Sequence, residues 1–192
     1  MPNAVIWHRA LCPVTPNLVL SGDLAADRDE ALEQLRSWCE AGITHIVDVR
    51  SEENHDWFVA MHAPHITYHW LGVDDDGRAR EAAWFEAGVS ALLDAWSDPA
   101  SKVMVHCQMG INRGPSMGYA GMLATGWDPV EALAAIRRAR PIAKVFYAVD
   151  AVEWWLTRSG ATPARVLTEM DRVANWLDAN PTYATWTEGP RS

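Results

Sequence analysis

The chain has 192 residues, a length that suits one domain with room for an added helix or two. Hydrophobic residues make up 49% of it, so a sizeable core can form and general disorder is excluded. The net charge of −9 gives no general attraction to nucleic acid or to anionic lipid, so we expect neither a nucleic-acid partner nor a membrane partner. An anionic substrate would need a local site that captures it against this overall field.

The chain contains three cysteines, Cys12, Cys39 and Cys107. This odd and sparse set does not fit a disulfide framework, which favours a reducing compartment. Residues 1–8 lack the basic stretch and apolar run of a secretory signal. No apolar stretch reaches the roughly 18 residues needed to span a bilayer. Together these features predict a cytoplasmic protein.

Apolar and β-branched runs alternate with helical patterns along the chain. This alternation predicts an α/β fold with a central, mostly parallel sheet flanked by helices. We expect residues 180–192 to form an irregular tail. The predicted strands are 18–20, 43–49, 66–70 and 102–106, and the predicted helices are 27–41, 53–61, 81–96, 114–125, 129–140, 143–158 and 163–178.

The most informative segment is the loop 107–113, between a predicted buried strand and a predicted helix. The strand delivers Cys107 to the carboxyl edge of the sheet, where ligands of open α/β sheets bind. Gly110 allows a tight curl in which backbone N–H groups converge on one anion, and the helix adds its positive N-terminal end. Arg113 can bind two phosphate oxygens with its planar guanidinium group. The same field favours the nucleophilic thiolate of Cys107. The alternative is a buried structural cysteine followed by a solvated arginine.

The pattern His106-Cys107-x-x-Gly110-x-x-Arg113 resembles the signature of the protein tyrosine phosphatase superfamily, in particular its dual-specificity branch. Residues 17–22 and 42–49 resemble the first two strands of that branch, and the resemblance spans roughly residues 15–158. It implies a cysteine-phosphatase fold of the dual-specificity type, with residues 1–160 as the catalytic domain. Residues 161–179 would be a C-terminal helix packed on that domain or appended to it.

The resemblance also implies roles for the residues of the loop. Cys107 would be the nucleophile and Arg113 the phosphate ligand, while His106 would be a buried residue that holds the loop by hydrogen bonding. No loop residue before Arg113 is basic, whereas phosphoinositide-directed relatives tend to carry extra lysines, so we expect a phosphorylated protein or a small phosphate monoester as substrate. The other residues expected to line the substrate are Gln108, Met109, Gly110, Ile111 and Asn112.

A phosphatase also needs an acid that protonates the leaving oxygen. In the dual-specificity branch this is an Asp on a loop well before the Cys, and the run Asp74-Asp75-Asp76 lies there. Asp75 fits best, because aligning the helix that contains Trp84 with the family's helix needs no gap. Asp74 and Asp76 remain alternatives, as does a solvated acidic loop with no catalytic role.

One position departs from the family pattern. The family usually carries Ser or Thr directly after the Arg, and here that residue is Gly114. The family's hydroxyl stabilises the departing thiolate when the phosphocysteine is hydrolysed. Its absence predicts slow hydrolysis, or a substitute donor such as the supporting residue Ser116 or Asn112. A phosphate-binding pseudophosphatase with weak turnover is therefore one alternative.

Residues 48–50 (Asp-Val-Arg) with Glu52 and Glu53 faintly resemble a rhodanese-like sulfurtransferase, which is the second alternative. The clustered histidines between 55 and 69 match no metal-ligand spacing, so we expect no metal and no cofactor. The favoured prediction is a phosphate monoester hydrolase that acts on phosphotyrosine, and also on phosphoserine and phosphothreonine, through a phosphocysteine. The oligomeric state is left open. The basic residues expected to be mostly solvated around the site are Arg78, Arg80, Arg137, Arg138, Arg140 and Lys144.

Overall fold

The computed structural model describes residues 7–182, which fold around one five-stranded sheet. The strands are β1 (Cys12–Thr15), β2 (Leu18–Ser21), β3 (His45–Arg50), β4 (Thr67–Val73) and β5 (Val103–His106). Their order is β1-β2-β5-β3-β4, with β1 antiparallel to β2 and every other pairing parallel. This confirms the predicted mostly parallel sheet flanked by helices.

Side-chain caps start several of the helices that cover the sheet. Asp27 accepts hydrogen bonds from the N–H groups of Asp29 and Glu30, and Asp128 does the same for the helix that begins at Pro129. The helices are α1 (Arg28–Glu40), α2 (Asp56–His62), α3 (Ala82–Trp96), α4 (Arg113–Ala124), α5 (Pro129–Ala139), α6 (Ala148–Arg158) and α7 (Pro163–Ala179).

The two faces of the sheet bury two separate hydrophobic clusters. Along the central strand β5, Val103 and Val105 point into the larger cluster, whereas Met104 points into the smaller one. This alternation follows from the two-residue period of a strand, and it explains why all four residues of β5 are buried. The larger cluster packs under α3 to α7 and the smaller under α1 and α2. A strand buried on both faces thus leads directly into the loop that begins at Cys107.

The structure differs from the sequence-based expectation at three places. Strand β1 was not predicted, and β4 continues to Val73, three residues beyond the expected end. Residues 143–147 form a turn instead of the first part of a helix, and Val145 has a positive φ of 56°. The N–H of Lys144 donates to the carbonyl of Ile111, so it is not available to a helix. Most of the expected tail, 183–192, lies outside the described residues.

Helix α7 packs against α5 and α6. Its residues Val166 and Val173 are buried in the larger cluster, and Arg172 pairs with Asp128 at 2.7 Å. The three cysteines are all free thiols. Within residues 7–182, no helix combines the length and the apolar character that a bilayer span requires.

Candidate active site

The loop between β5 and α4 forms a curled cradle at the carboxyl edge of the sheet. Cys107 is 2% exposed and lies at the base of this loop. Gly110 has a φ of 61°, in the left-handed region that favours glycine. A Cβ at Gly110 would collide with the guanidinium group of Arg140 and with the carbonyl oxygen of Ser21. Only glycine fits there, as the sequence predicts.

Arg140 supports the cradle from behind. It was expected to be solvated, but it is fully buried, because its guanidinium group binds backbone carbonyls of the loop. Its Nε donates to the carbonyl of Gly110 at 2.6 Å, and its Nη2 donates to that of Met109 at 3.0 Å. It also donates to the carbonyls of His8 and Ala10, at 3.2 Å each. Carbonyls turned towards Arg140 leave the loop's N–H groups to face the opposite side, where an anion would bind.

Arg113 is the second cationic group at the cradle, and its side chain is 3% exposed. Its two terminal nitrogens bond to Glu52 at 2.8 and 2.6 Å, and Nη1 also bonds to the carbonyl of Val73. The hydrogen bond from Arg113 lowers the pKa of Glu52. The Nε of Arg113 has no hydrogen-bond partner among residues 7–182 and lies 3.5 Å from Oδ2 of Asp75. A phosphate oxygen that bound this N–H would therefore displace no existing hydrogen bond of Nε among these residues.

The three aspartates of the loop after β4 have different surroundings. Asp75 lies over the cradle, where its Oδ1 accepts hydrogen bonds from Nδ2 of Asn112 at 2.6 Å and from the hydroxyl of Tyr147 at 2.8 Å. Asp74 instead accepts a hydrogen bond from Ser51 at 2.6 Å. The hydrogen bond from the backbone N–H of Arg78 lowers the pKa of Asp76, and the ion pair of Asp76 with Arg80 lowers it further. Within the described residues, Asp75 is the one of these three aspartates whose side chain contacts the loop 107–113.

A buried polar network lies beneath the N-terminal side of the cradle. His106 is 1% exposed, and its Nε2 lies 3.6 Å from Oδ2 of Asp48 on the neighbouring strand. Burial lowers the pKa of His106, so the ring stays neutral. Asp48 also accepts hydrogen bonds from Arg50 at 2.9 Å and from the hydroxyl of Tyr68 at 2.6 Å. Asp48 and Arg50, which suggested a sulfurtransferase, thus form a buried ion pair inside the sheet.

Neither candidate substitute for the missing hydroxyl at position 114 is free to serve Cys107. The hydroxyl of Ser116 is fully buried, donates to Oδ1 of Asn112 at 3.3 Å and accepts from the N–H of Tyr147 at 3.4 Å. The amide of Asn112 donates to Asp75. Gly114 itself sits tightly against β5, since a Cβ there would lie 3.1 Å from the backbone nitrogen of Cys107.

Sequence reasoning brought Cys107, Arg113 and Asp75 to one place, but it missed the residues that hold them. Glu52 was considered only for its resemblance to a sulfurtransferase, and Arg140 only as a solvated cation. The sequence contains a signal for neither role, because each acts through a contact between distant parts of the chain. Residues 52 and 113 are 61 positions apart.

The model of the dual specificity phosphatase catalytic domain matches residues 29–146. Human dual specificity protein phosphatase 4 is 30% identical over 111 residues, which cover 57% of this chain and 25% of the relative. The chain therefore spans about a quarter of the length of that curated relative.

Solved structures show the same fold. Human DUSP28 superposes with a TM-score of 0.65 at 19% identity, over 79% of this chain and 99% of that one. The human tyrosine phosphatase-like serine/threonine/tyrosine-interacting protein gives 0.63 at 19% identity, with the same coverage of 79% and 99%. Because the family model covers more than half of the residues, this chain belongs to the dual specificity phosphatase catalytic-domain family.

Proposed function

We propose that this protein is a metal-independent cysteine phosphatase that hydrolyses phosphate monoesters through a covalent intermediate on Cys107. The observation that supports it most is the convergence of three groups at the cradle. Cys107 lies at its base, the Nε of Arg113 makes no hydrogen bond among residues 7–182, and Asp75 lies 3.5 Å from that nitrogen. These groups supply a nucleophile, an anion ligand and a proton donor at one point.

In the first step, the thiolate of Cys107 attacks phosphorus as the bond between phosphorus and the ester oxygen breaks. Protonated Asp75 gives its proton to that oxygen, which leaves as a neutral alcohol or phenol. The loop N–H groups and Arg113 stabilise the negative charge on the phosphoryl oxygens in the transition state. The product is a phosphocysteine and an Asp75 carboxylate.

In the second step, water attacks the phosphocysteine. The Asp75 carboxylate takes a proton from this water, the bond between sulfur and phosphorus breaks, and Cys107 returns to the thiolate. Phosphate then leaves the cradle. Because Gly114 provides no hydroxyl beside the sulfur and Ser116 is bonded elsewhere, we expect this second step to limit turnover.

The charge around the cradle favours a substrate with one phosphate group. Glu52 bonds to Arg113, Asp75 bonds to Asn112, and Asp74, which bonds to Ser51, precedes Asp75 in the same loop. Such a rim disfavours a headgroup with several phosphates. We therefore propose phosphotyrosine in proteins as the main substrate, with phosphoserine, phosphothreonine and small monoesters as further ones, and the free thiols fit action in the cytoplasm.

Gly114 also favours a second candidate, a phosphate-binding protein with weak turnover. Hydrolysis of an aryl phosphate in EDTA, compared between the wild type and Cys107→Ser, tests both. Steady turnover that disappears in the variant is the expected result. Release of about one equivalent of phenol per protein followed by a stall would support the second candidate. Equal activity in the two proteins would overturn the cysteine mechanism.

A further inference from the structure

The turn between α5 and α6 is tied to the second half of the cradle loop. The N–H of Lys144 donates to the carbonyl of Ile111, and the N–H of Phe146 donates to Oδ1 of Asn112, both at 2.8 Å. Val145 lies between these contacts with a φ of 56°, an unfavourable conformation for a β-branched residue. Strain of this kind persists only where surrounding contacts impose it. The turn therefore has a fixed position against the loop, and it delivers Tyr147 to the site.

Two side chains contact the ring of Tyr147. The guanidinium group of Arg80 lies 4.7 Å from the ring centroid, and Trp84 meets the ring edge-on at 6.2 Å. Arg80 also donates to the carbonyl of Asp74 at 2.9 Å and pairs with Asp76. Arg80 thus joins the ring of Tyr147 to the loop that carries Asp75, and the hydroxyl of Tyr147 cannot easily move away from that loop.

Both hydrogen bonds to Asp75 reach the same carboxylate oxygen. Oδ1 accepts from Tyr147 at 2.8 Å and from Asn112 at 2.6 Å, whereas Oδ2 lies on the side of Arg113. Two donors on one oxygen fix the plane of the carboxyl group and leave the other oxygen to carry the proton. A general acid works only when its proton lies within hydrogen-bond reach of the leaving atom.

We propose that Tyr147 is a positioning residue for the acid: with Asn112, it holds Oδ1 of Asp75 so that Oδ2 delivers the proton to the leaving oxygen. The inference rests on the proposed function, in which Asp75 is the acid. Burial and the hydrogen bond to Asp75 raise the pKa of Tyr147, so its hydroxyl stays a donor at neutral pH.

Substrates with leaving groups of different basicity distinguish this positioning role from a purely structural one. A basic leaving oxygen, as in phenyl phosphate, needs the proton from Asp75, whereas the acidic leaving group of 4-nitrophenyl phosphate departs with little help. The quantity to compare is kcat/KM. It reports on substrate binding and on the formation of the phosphocysteine, and slow hydrolysis of the phosphocysteine does not affect it.

The variants are Tyr147→Phe, Asp75→Asn and the double variant, with Tyr119→Phe as the matched control. Tyr119 is buried in α4, and its hydroxyl has no hydrogen-bond partner among the described residues. Tyr147→Phe keeps the ring and its contacts with Arg80 and Trp84, and removes only the hydroxyl. Tungstate affinity, measured by calorimetry, monitors the integrity of the cradle in each protein.

We expect Tyr147→Phe to lower kcat/KM for phenyl phosphate about tenfold, the effect of one lost hydrogen bond to a charged or positioned group, and to change that for 4-nitrophenyl phosphate less than twofold. Asp75→Asn should show a larger selective loss, to which Tyr147→Phe adds nothing. Tungstate affinity and Tyr119→Phe should match the wild type.

Three results would overturn the inference. Equal losses with both substrates in Tyr147→Phe would show a structural role alone. A wild-type kcat/KM in Tyr147→Phe, together with a selective loss in Asp75→Asn, would show that Tyr147 does not position the acid. The proposed function would then stand without it. An Asp75→Asn protein with no dependence on the leaving group would instead show that the proposed function has the wrong acid, and the inference would fail with it.

Discussion

Glu52 binds both terminal nitrogens of Arg113, at 2.8 and 2.6 Å, so the guanidinium plane is fixed before any substrate arrives. A guanidinium group held in this way keeps its remaining N–H, on Nε, 3.5 Å from Asp75 and without a hydrogen bond among residues 7–182. Because Arg113 is almost fully buried, a rotamer that lost Glu52 would leave a buried cation without its ion-pair partner. Preorganisation of this kind reduces the entropy lost when an anion binds.

We therefore predict that Glu52→Gln weakens substrate binding. The amide can bond only one of the two nitrogens as an acceptor, so the guanidinium group loses its fixed plane. KM for an aryl phosphate should rise about tenfold, and the free energy of unfolding should fall by about 1–2 kcal/mol because a charged hydrogen bond is lost. Steady-state kinetics and urea denaturation measure the two effects. Glu53→Gln, a change at the exposed neighbour, serves as the control and should behave like the wild type.

The position of Arg140 leads to a second prediction. Arg140→Lys keeps the positive charge but cannot donate to the carbonyls of both Met109 and Gly110 with the geometry of a guanidinium group. The loop should become less ordered, so tungstate affinity measured by calorimetry should fall about tenfold, the effect of one hydrogen bond to a charged group. The exposed Arg138 is the matched position, and Arg138→Lys should leave the affinity unchanged. Equal affinities in all three proteins would contradict a supporting role for Arg140.

The sequence predicted the sheet where local chemistry is strong and failed where the structure depends on distant contacts. The runs 43–49 and 102–106 are β-branched and apolar because those strands are buried on both faces. Strand β1 is only four residues long, contains Pro13 and pairs on one side, so it has no comparable pattern. The apolar periodicity of 143–158 predicted one helix and did not reveal the turn at 143–147, because the spacing of side chains does not show which backbone N–H groups bond to the cradle loop.

The same distinction applies to the site. Cys107, Gly110 and Arg113 belong to one short loop whose chemistry follows from the strand before it and the helix after it. Asp75 and Tyr147 are 72 positions apart, and the packing of α6 against α3 and α4 brings their loops together. Their spacing in the sequence identifies the three loop residues, whereas the contact between Asp75 and Tyr147 can be found only from the three-dimensional structure.

Gly114 provides a third prediction, which concerns the second chemical step. Gly114→Ser would place a hydroxyl beside the sulfur of Cys107, and the family resemblance predicts that phosphocysteine hydrolysis then becomes faster. The added Cβ would lie 3.1 Å from the nitrogen of Cys107, so the backbone must shift by a few tenths of an ångström. Gly114→Ala adds the same Cβ without the hydroxyl. Rapid-mixing kinetics should show an increase in the steady rate after the burst, about tenfold, in the Ser variant alone. Similar rates in the Ser and Ala variants would contradict the role of the hydroxyl.

The buried His106 and the partly buried His45 and His55 give a fourth prediction, on stability and pH. Burial lowers the pKa of His106, His55 and His45 below the usual 6.5. The unfolded chain therefore binds more protons than the folded one just below pH 6.5. Their contribution to stability is complete above about pH 6.5 and falls as the pH drops towards the folded values. The fall is up to about 1.4 kcal/mol per pH unit for the buried His106 and smaller for the other two, because solvent screens partly exposed rings. Urea denaturation between pH 7.5 and pH 5 measures this slope. His106→Gln should reduce the slope, whereas a change at the exposed His65 should not.

The fifth prediction concerns helix α7, which follows the segment that resembles the family. Val173 is fully buried in the larger cluster, whereas Leu167 on the same helix is 62% exposed. Val173→Ala removes two methyl groups and leaves a small cavity, so the free energy of unfolding should fall by about 2 kcal/mol. This corresponds to a drop in Tm of roughly 4–8 °C for a chain of this size. Leu167→Ala should change Tm by less than about 1 °C, because that side chain is already in water. If Val173→Ala also left Tm unchanged, α7 would be an appendage that unfolds separately from the catalytic domain; a single cooperative transition at the lower Tm would show that the helix is part of it.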